Sequence, residues 1–512
     1  MIISFDIGSS SVRAIACLPK LQHGPQASSS DDPVLLDGTL ATAPCSLRSD
    51  GTADAHTFRG HIERVFDECL EATRRHAGGR TVVVDALSFA AFAMSLVGVD
   101  SSSGEPLTPV YTYARSDPTA AAAAAALREA LAADPTAGPG RLRRLYAELG
   151  SPVHTAYAPA LFFQLAGGPL SLAAVTWQTL GSWVLARWRG KPHGPISTSE
   201  ASWAGLLDVA ACAWHREMCG FLGLRLPGTS PANPLAPGAL HARVAGRLPH
   251  VVDFAACAAS CGAAGEVAGA LGPAAAARWP EAAAALLFLP VGDGACASVG
   301  SRCGAGLGRV AVTIGTSAAA RIILDAPTTA PLAVAAGGGG SGGGLAGVPA
   351  LLPAGLWCYR VDTSRVVVGG ALTDGGLVVD WLRTLLGLRG DADFDEAVAE
   401  AARAEPNEEL RKLRGDAVDA GASGEKAGGE GGEGGGAHGL SILPFLGAER
   451  SPGWHDGASG SLHGLRRGTT RGQVVARVLW CWGGVGVGDP VSRRRLLYSL
   501  QQAQSKACSH RK

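Results

Sequence analysis

An α/β fold spread over at least two domains is predicted by three features of this sequence. The chain is 512 residues long, more than one ordinary hydrophobic core accommodates. Strand-like apolar runs alternate with helical stretches as far as residue 300. One design, strand then small-residue turn then strand, occurs at residues 2–17 and again near 310–324. The recurrence reads as a duplication of architecture without a duplication of sequence.

Composition narrows the class. Hydrophobic residues make up 47% and charged residues 17%, which is globular and not disordered. The 44 basic and 44 acidic residues cancel, so neither nucleic acid nor an anionic membrane is an expected partner. The 12 cysteines are scattered without a CxxC pair. A reduced, cytoplasmic protein without structural zinc is expected, with Cys257 and Cys261 as small buried thiols. Because the sequence opens on a strand, no signal or transit peptide is expected. The alanine run 120–126 is too short to span a membrane.

The elements follow in order. Residues 2–6 form an apolar strand, and Ser11 to Cys17 read as its hairpin partner across a glycine-serine turn. Val82 to Val84 begin another strand, and Ser95 to Asp100 read as one more. Ser116, Asp117 and Pro118 are a helix start, followed by alanines of high helix propensity. Val310 to Ile314 and Arg321 to Leu324 form the second hairpin. The tryptophans at 177, 183 and 188 fall near helical spacing and read as core. Residues 337–344 and the glycine- and glutamate-rich stretch 415–438 read as loop excursions.

Chemistry concentrates where strands run into small residues. Asp6 precedes Gly8-Ser9-Ser10-Ser11, with Arg13 beyond; Asp293 lies between Gly292 and Gly294; Gly315-Thr316-Ser317 ends a third strand. Such turns offer N–H groups and hydroxyls to phosphate, and a carboxylate there can serve a metal or act as a general base. Each has a plain alternative. Asp6 and Asp293 could be turn residues, and Arg13 an ordinary surface residue. Glu449 and Arg450 read as a structural ion pair. His215, His438 and His463 lack metal-ligand spacing and read as solvated or locally satisfied.

Taken in order, these motifs resemble the FGGY family of carbohydrate kinases, nearest its gluconokinase-like and xylulokinase-like branch, over roughly residues 2–480. Asp6 to Arg13 resembles the family's first phosphate loop, and Leu107 to Tyr113 its sugar-side strand. Ala201 to Asp208 resembles the small-residue segment that follows. Val291 to Ala295, with Gly300, resembles the catalytic-base segment, and Thr313 to Ser317 the second phosphate loop. Gly369 to Gly376, ending at Trp381-Leu382, resembles the nucleotide-side helix. Leu443 to Leu446 with Glu449 to Trp454 resembles a block of that branch.

The resemblance implies two actin-like (ribonuclease H-like) ATPase domains with a cleft between them. It draws an N-terminal sugar domain at 1–302, a C-terminal nucleotide domain at 307–482 and a tail outside the family pattern at 483–512. It implies transfer of the γ-phosphoryl of ATP, with Mg2+, to a hydroxyl of a sugar or sugar acid, gluconate first and a pentulose second. Asp293 would be the general base and a substrate contact, and Asp6 the magnesium-side carboxylate. Ser9, Ser10, Ser11, Arg13 and Thr316 would meet the phosphates, and Gly376 the adenosine. Ser95 and Tyr113 would line the sugar, with a homodimer as the assembly considered.

The chain departs from the family pattern in places. Ala93 and Met94 stand where an aromatic and a histidine are usual, so sugar hydrogen bonds are expected to be missing. Tyr113-Ala114-Arg115-Ser116-Asp117 replaces Trp-Ala-Asp-x-Arg, with charges exchanged in position and able to pair with each other. Leu161 and Gln164 replace a basic residue and a tryptophan. The glycine-rich adenosine loop is not found after Trp482, so the second domain is expected to be truncated and ATP binding weak. A catalytically impaired pseudokinase is therefore the alternative reading. A different actin-like ATPase fits less well, lacking the 443–454 block.

Overall fold

The computed structural model describes residues 1–19, 33–92, 94–115, 117–133, 140–168, 172–228, 246–253, 270–303, 309–314, 317–326, 352, 355–404, 440–443, 445–446, 449–451, 453–455 and 458–483. Two compact units divide the chain. One takes Met1–Ala311 and Arg321–Gly369; the other takes Val312–Ala320 and the chain from Gly370 onward. The division differs from the expected boundary at 302–307, because residues 321–369 go with the first unit.

The first unit is built on a seven-stranded sheet. β1 (Ile2–Ile7) and β2 (Ser11–Leu18) form the expected antiparallel hairpin, Ile7 facing Val12 and Asp6 facing Arg13. Alternation dictates it: Ile3, Phe5 and Ile7 are buried while Ser4 and Asp6 turn to the other face. β3 (Val34–Leu35) and β4 (Ala41–Pro44) extend the hairpin side. Helix α1 (Ala55–Ala77) covers one face. Asp54 caps its N-terminus by accepting from Thr57 N–H at 2.8 Å, and Gly78 ends it in a left-handed conformation at φ 58°. Phe58, Ile62, Val65, Phe66, Cys69 and Leu70 recur at helical spacing and are buried against β1 and β2.

β5 (Ala86–Ala91) runs parallel to β1, Ile7 beside Ala91. The expected strand at Val82–Val84 is thus displaced: Val82 and Val84 are buried but unpaired in the sheet, and pairing begins at Ala86. β6 (Leu96–Asp100) is as expected and pairs antiparallel with a later strand, β7. Leu107–Tyr113, expected as a strand, is a loop held by isolated bridges from Pro106, Val110 and Tyr111.

Helices α2 (Pro118–Ala133), α3 (Arg141–Leu149) and α4 (Ala158–Ala166) follow, then β7 (Val175–Thr179) and α5 (Leu180–Trp188). Trp177 therefore lies on a strand and not on a helix with Trp183 and Trp188, though all three are core. Next come β8 (Ile196–Ser197), α6 (Thr198–Trp203), β9 (Leu207–Asp208), β10 (Ala213–Trp214), α7 (Arg216–Phe221), β11 (Val251–Val252) and α8 (Pro273–Arg278). β12 (Leu286–Leu287) and β13 (Val291–Gly292) both join β5 in parallel, and α9 (Asp293–Gly300) follows at once. Phe5 stacks on Phe89 with ring centres 4.7 Å apart, and Phe66, Trp188 and Trp279 close the core around them.

β14 (Ala311–Ile314), β15 (Ala318–Asp325), β16 (Trp357–Arg360) and β17 (Arg365–Leu372) belong to a four-stranded sheet in the order β14-β15-β17-β16. The expected second hairpin is present in it. In the second unit, α10 (Gly376–Leu385), α11 (Gly390–Ala404) and α12 (Arg471–Gly483) pack with the hairpin β18 (Ser441–Leu443) and β19 (Ser461–His463). Val378, Leu382, Ala397, Ile442 and Val475 form that core, and Arg471 reaches Glu396 and Glu400, each at 3.0 Å. No helix of the described residues is long and apolar enough to cross a membrane.

Residues 337–344, 415–438 and 484–512, and Cys257, Cys261 and His438, lie outside the described residues. His215 is satisfied locally, by Glu148 at 2.9 Å and by Met218 N–H. His463 meets Ser461 at 3.0 Å. Glu449 accepts from Gly453 N–H at 2.9 Å and lies 3.9 Å from His455.

Candidate active site

Three parallel strands of the first unit end side by side. Ile7 of β1 aligns with Ala91 of β5, and Gly292 of β13 aligns with the same Ala91. Ligands of open α/β sheets bind outside the carboxyl ends of strands. Asp6 with its following loop and Asp293 with its following helix are therefore brought to one end of one sheet. The Cys296 thiol marks their proximity: burial pushes its pKa up to about 12, and the negative charges of Asp293 and Asp6 add to the rise.

Asp6 and Arg13 form a cross-strand ion pair at 3.0 Å, both side chains about half exposed at 44% and 52%. Gly8 turns the chain, donating its N–H to Ser11 O at 3.0 Å, and a Cβ there would meet that oxygen at 2.9 Å. Ser9 Oγ is 3.2 Å from the Tyr113 hydroxyl, so the first loop and the 111–115 loop touch. Ser10 is exposed, and its carbonyl accepts from Cys45 N–H. Ser11 begins β2 opposite Pro44.

Asp293 opens α9, where an acid complements the helix dipole, and its Oδ1 accepts from Gly294 N–H at 2.7 Å. Helix α6 holds this segment in place. Ser197 Oγ donates to Pro290 O at 2.5 Å, and Gly292 N–H donates to Ser199 Oγ at 3.1 Å. The Trp203 ring lies on the backbone: a Cβ at Gly292 would come within 2.7 Å of its Nε1, and one at Gly294 within 2.7 Å of its Cη2. The two glycines around Asp293 are thus required by tryptophan packing. Trp203 continues into Tyr359, with ring centres 4.3 Å apart, and into Trp357. Within α6, Glu200 is buried and its carboxyl is pushed up to about 7 by burial, against hydrogen bonds from Thr179 and Ser182. The small-residue segment at 201–208 was legible in the sequence; the clamp that Ser197, Ser199 and Trp203 place on a strand ninety residues later was not.

Ser95 is buried, and its carbonyl accepts from Leu180 N–H at 2.7 Å. Met94 beside it takes a left-handed backbone at φ 50°, a strained conformation for this residue. Ala93 and Thr316 lie outside the described residues. Gly376 is the first residue of α10 in the second unit, after the cap Gly375.

The exchanged charges do not pair directly, contrary to the simplest expectation. Gln164 stands between them: Arg115 Nη1 donates to its Oε1 at 2.6 Å, and its Nε2 donates to Asp117 Oδ2 at 2.5 Å. Partial burial pushes the Asp117 carboxyl up, but hydrogen bonds from Thr119 and Gln164 and the charge of Arg115 outweigh it and leave the group below its ordinary value. Three departures from one family pattern thus form one hydrogen-bonded set.

No family model matches the chain. Among curated proteins it is 26% identical over 175 residues to a gluconokinase of Bacillus licheniformis, and 25% identical over 172 residues to one of Bacillus subtilis. Each alignment takes in 34% of this chain and 25% of the relative, so the chain spans about a quarter of the length of the curated relatives it matches. Solved structures align over nearly all of it. A gluconate kinase from Lactobacillus acidophilus gives a TM-score of 0.60 at 18% identity, covering 93% of this chain and 75% of that one. A xylulose kinase from Rhodospirillum rubrum gives 0.60 at 16%, covering 98% and 79%. Plasmodium falciparum glycerol kinase with ADP gives 0.56 at 13%, covering 93% and 75%. The fold is that of the sugar kinases. It comprises two actin-like ATPase-fold domains of mixed α/β structure.

Proposed function

We propose that the protein is a carbohydrate kinase of the FGGY type, transferring the γ-phosphoryl of ATP to a hydroxyl of a sugar or sugar acid. The observation that carries this is the convergence of Asp6 and Asp293 at the ends of parallel strands β1 and β13, beside Cys296. The gluconokinase and gluconate kinase likenesses favour gluconate as the acceptor, with a pentulose second.

Asp293 is the general base. Phosphoryl transfer asks the protein mainly for positioning and charge stabilisation, and one carboxylate must take the hydroxyl proton. The clamp from Ser197, Ser199 and Trp203 fixes where that carboxylate stands. Tyr113, tied to Ser9, lines the acceptor side, whereas Ser95 is 1% exposed and supports the chain there through its carbonyl. Ser9, Ser10, Ser11, Arg13 and Thr316 meet the phosphates, and Gly376 the adenosine.

The donor set suits magnesium. Among the described residues no three His, Cys, Asp or Glu side chains gather as a metal cage. Mg2+ in kinases usually takes one or two carboxylates together with substrate phosphates, and Asp6 supplies such a carboxylate. When bound, the ion would neutralise phosphate charge. Arg13, already within 3.0 Å of Asp6, keeps a second cation at the same place.

A panel of sugars, polyols and sugar acids with Mg-ATP, read as ADP release, tests the proposal. Turnover of gluconate or a pentulose is the expected result. No acceptor-dependent ADP release with any member would overturn it.

A further inference from the structure

The Asp6 loop and the 111–115 loop meet through two hydroxyls. Ser9 Oγ and the Tyr113 hydroxyl lie 3.2 Å apart, and both residues are partly open to solvent. Each hydroxyl has one proton to give and lone pairs to receive with, so either can be the donor.

Both ends of this link are held from beneath. Gly8 N–H donates to Ser11 O at 3.0 Å. Cys45 reaches the same turn twice, its N–H donating to Ser10 O at 3.0 Å and its thiol to Gly8 O at 3.4 Å. Burial pushes the Cys45 pKa up to about 11, so the thiol keeps the proton that it donates. On the other side, Tyr111 N–H donates to Leu96 O at 2.7 Å and Leu96 N–H to Tyr111 O at 2.9 Å. Thr112 Oγ donates to Gly51 O at 2.6 Å and accepts from Ala114 N–H at 3.1 Å. Gly51 has φ +76°, and a Cβ on it would fall 2.1 Å from Ala114 O, so the chain on either side of Tyr113 is in contact with a second segment. Ser9 and Tyr113 are therefore kept within reach of each other by their loops.

A phosphate at Ser9 gives the link a direction. Ionised phosphate oxygens accept and do not donate, so the single proton of Ser9 goes to the nucleotide. Tyr113 is then the donor to Ser9 Oγ, and its own oxygen is left to accept from an acceptor hydroxyl. A sugar hydroxyl that donates to Tyr113 fits the direction set by the phosphate. The three hydrogen bonds run one way, and each polarises the next.

We infer that the Tyr113–Ser9 hydrogen bond couples the two substrates, so that the acceptor and the nucleotide each raise the affinity of the other. This rests on the kinase reading above for what occupies the two loops. The coupling requires no movement of either loop, and it is reciprocal by linkage.

Calorimetric titration of the full chain with Mg2+ and a non-hydrolysable ATP analogue, with and without saturating gluconate, measures the coupling, and xylulose serves as the second acceptor. The acceptor is expected to tighten nucleotide binding by about three- to tenfold, what one hydrogen bond contributes. Tyr113→Phe keeps the ring and removes the hydroxyl, and should bring that ratio to about one. Ser9→Ala should weaken the nucleotide on its own account and remove the ratio as well, and the double variant should lose no more of the ratio than either single one. A merely structural role for Tyr113 would weaken both ligands and leave the ratio in place. Circular dichroism checks folding, and Ser9→Ala carries the test if Tyr113→Phe does not fold. The inference is overturned if the unaltered chain turns over either acceptor yet shows no coupling, or if Tyr113→Phe keeps the full ratio. Coupling without any ADP release would uphold the link and remove the phosphoryl-transfer reading. Neither coupling nor ADP release with either acceptor would remove both.

Discussion

Asp6 and Asp293 reach the same end of the same sheet from similar sequence contexts, yet their surroundings differ. Asp6 sits within a strand, half exposed, with Arg13 opposite at 3.0 Å. Asp293 opens a helix and is backed by a buried aromatic group and two serine hydroxyls. A carboxylate already facing a cation and open to solvent suits shared charge with metal and phosphate. A carboxylate held on a packed support suits proton abstraction at one fixed point. The strand-glycine-aspartate pattern alone does not distinguish the two roles; the neighbours do.

The largest effect should come from Asp293→Asn, which preserves shape and removes the proposed proton acceptor. Turnover should fall by about 10²- to 10⁴-fold, with the melting temperature nearly unchanged. If a folded variant keeps full turnover, the two aspartates have been assigned the wrong way round.

Trp203→Ala probes the support instead of the base. It leaves space beneath Gly292 and Gly294 and removes contacts to Trp357 and Tyr359. A loss of about 3–5 kcal/mol in chemical denaturation is expected. No loss would mean that the Asp293 segment needs no packed floor, and the contrast with Asp6 would shrink.

These two regions were not equally legible in the sequence. The Asp6 hairpin was, because Ile3, Phe5 and Ile7 alternate with polar residues and the pairing is local. The short strand before Asp293 was also visible. Its support was not, because Ser197, Ser199 and Trp203 act across about ninety residues of chain. β5 was placed four residues early, since Ala86-Leu87-Ser88-Phe89-Ala90-Ala91 has fewer β-branched residues than the valines before it. Residues 107–113 resemble a strand of the family pattern, yet only isolated bridges engage them. Arg115, Gln164 and Asp117 were each noticed as departures; only the fold shows that they answer one another.

Glu200 sharpens the comparison through pH. Its carboxyl has a folded value of about 7 against an ordinary 4.5. Below the ordinary value both folded and unfolded chains carry the proton, and the full stability is present. As pH rises through the window from 4.5 to 7 the unfolded chain releases its proton first, so stability falls and then levels off. The difference between the unaltered chain and Glu200→Gln should decline by about 3 kcal/mol across this range, at ~1.4 kcal/mol per pH unit. Denaturation at several pH values measures it. A difference independent of pH would show that Glu200 is not carried protonated inside α6.

The smallest effect on stability belongs to the Asp6–Arg13 pair. Both side chains are about half exposed, where water and salt screen the attraction and ordering two long side chains offsets it. Arg13→Ala should change unfolding free energy by less than about 1 kcal/mol, and a double-mutant cycle with Asp6→Ala should give a coupling of the same small size. On the proposed role of Arg13 at the phosphates, the same substitution should weaken Mg-ATP binding while the fold is kept. The pair therefore separates its two duties: denaturation reads the structural one and nucleotide titration the functional one. A large loss of stability with unchanged nucleotide affinity would make Asp6 and Arg13 a structural staple of the hairpin, leaving Asp293 as the single acidic residue at this sheet end with a chemical task.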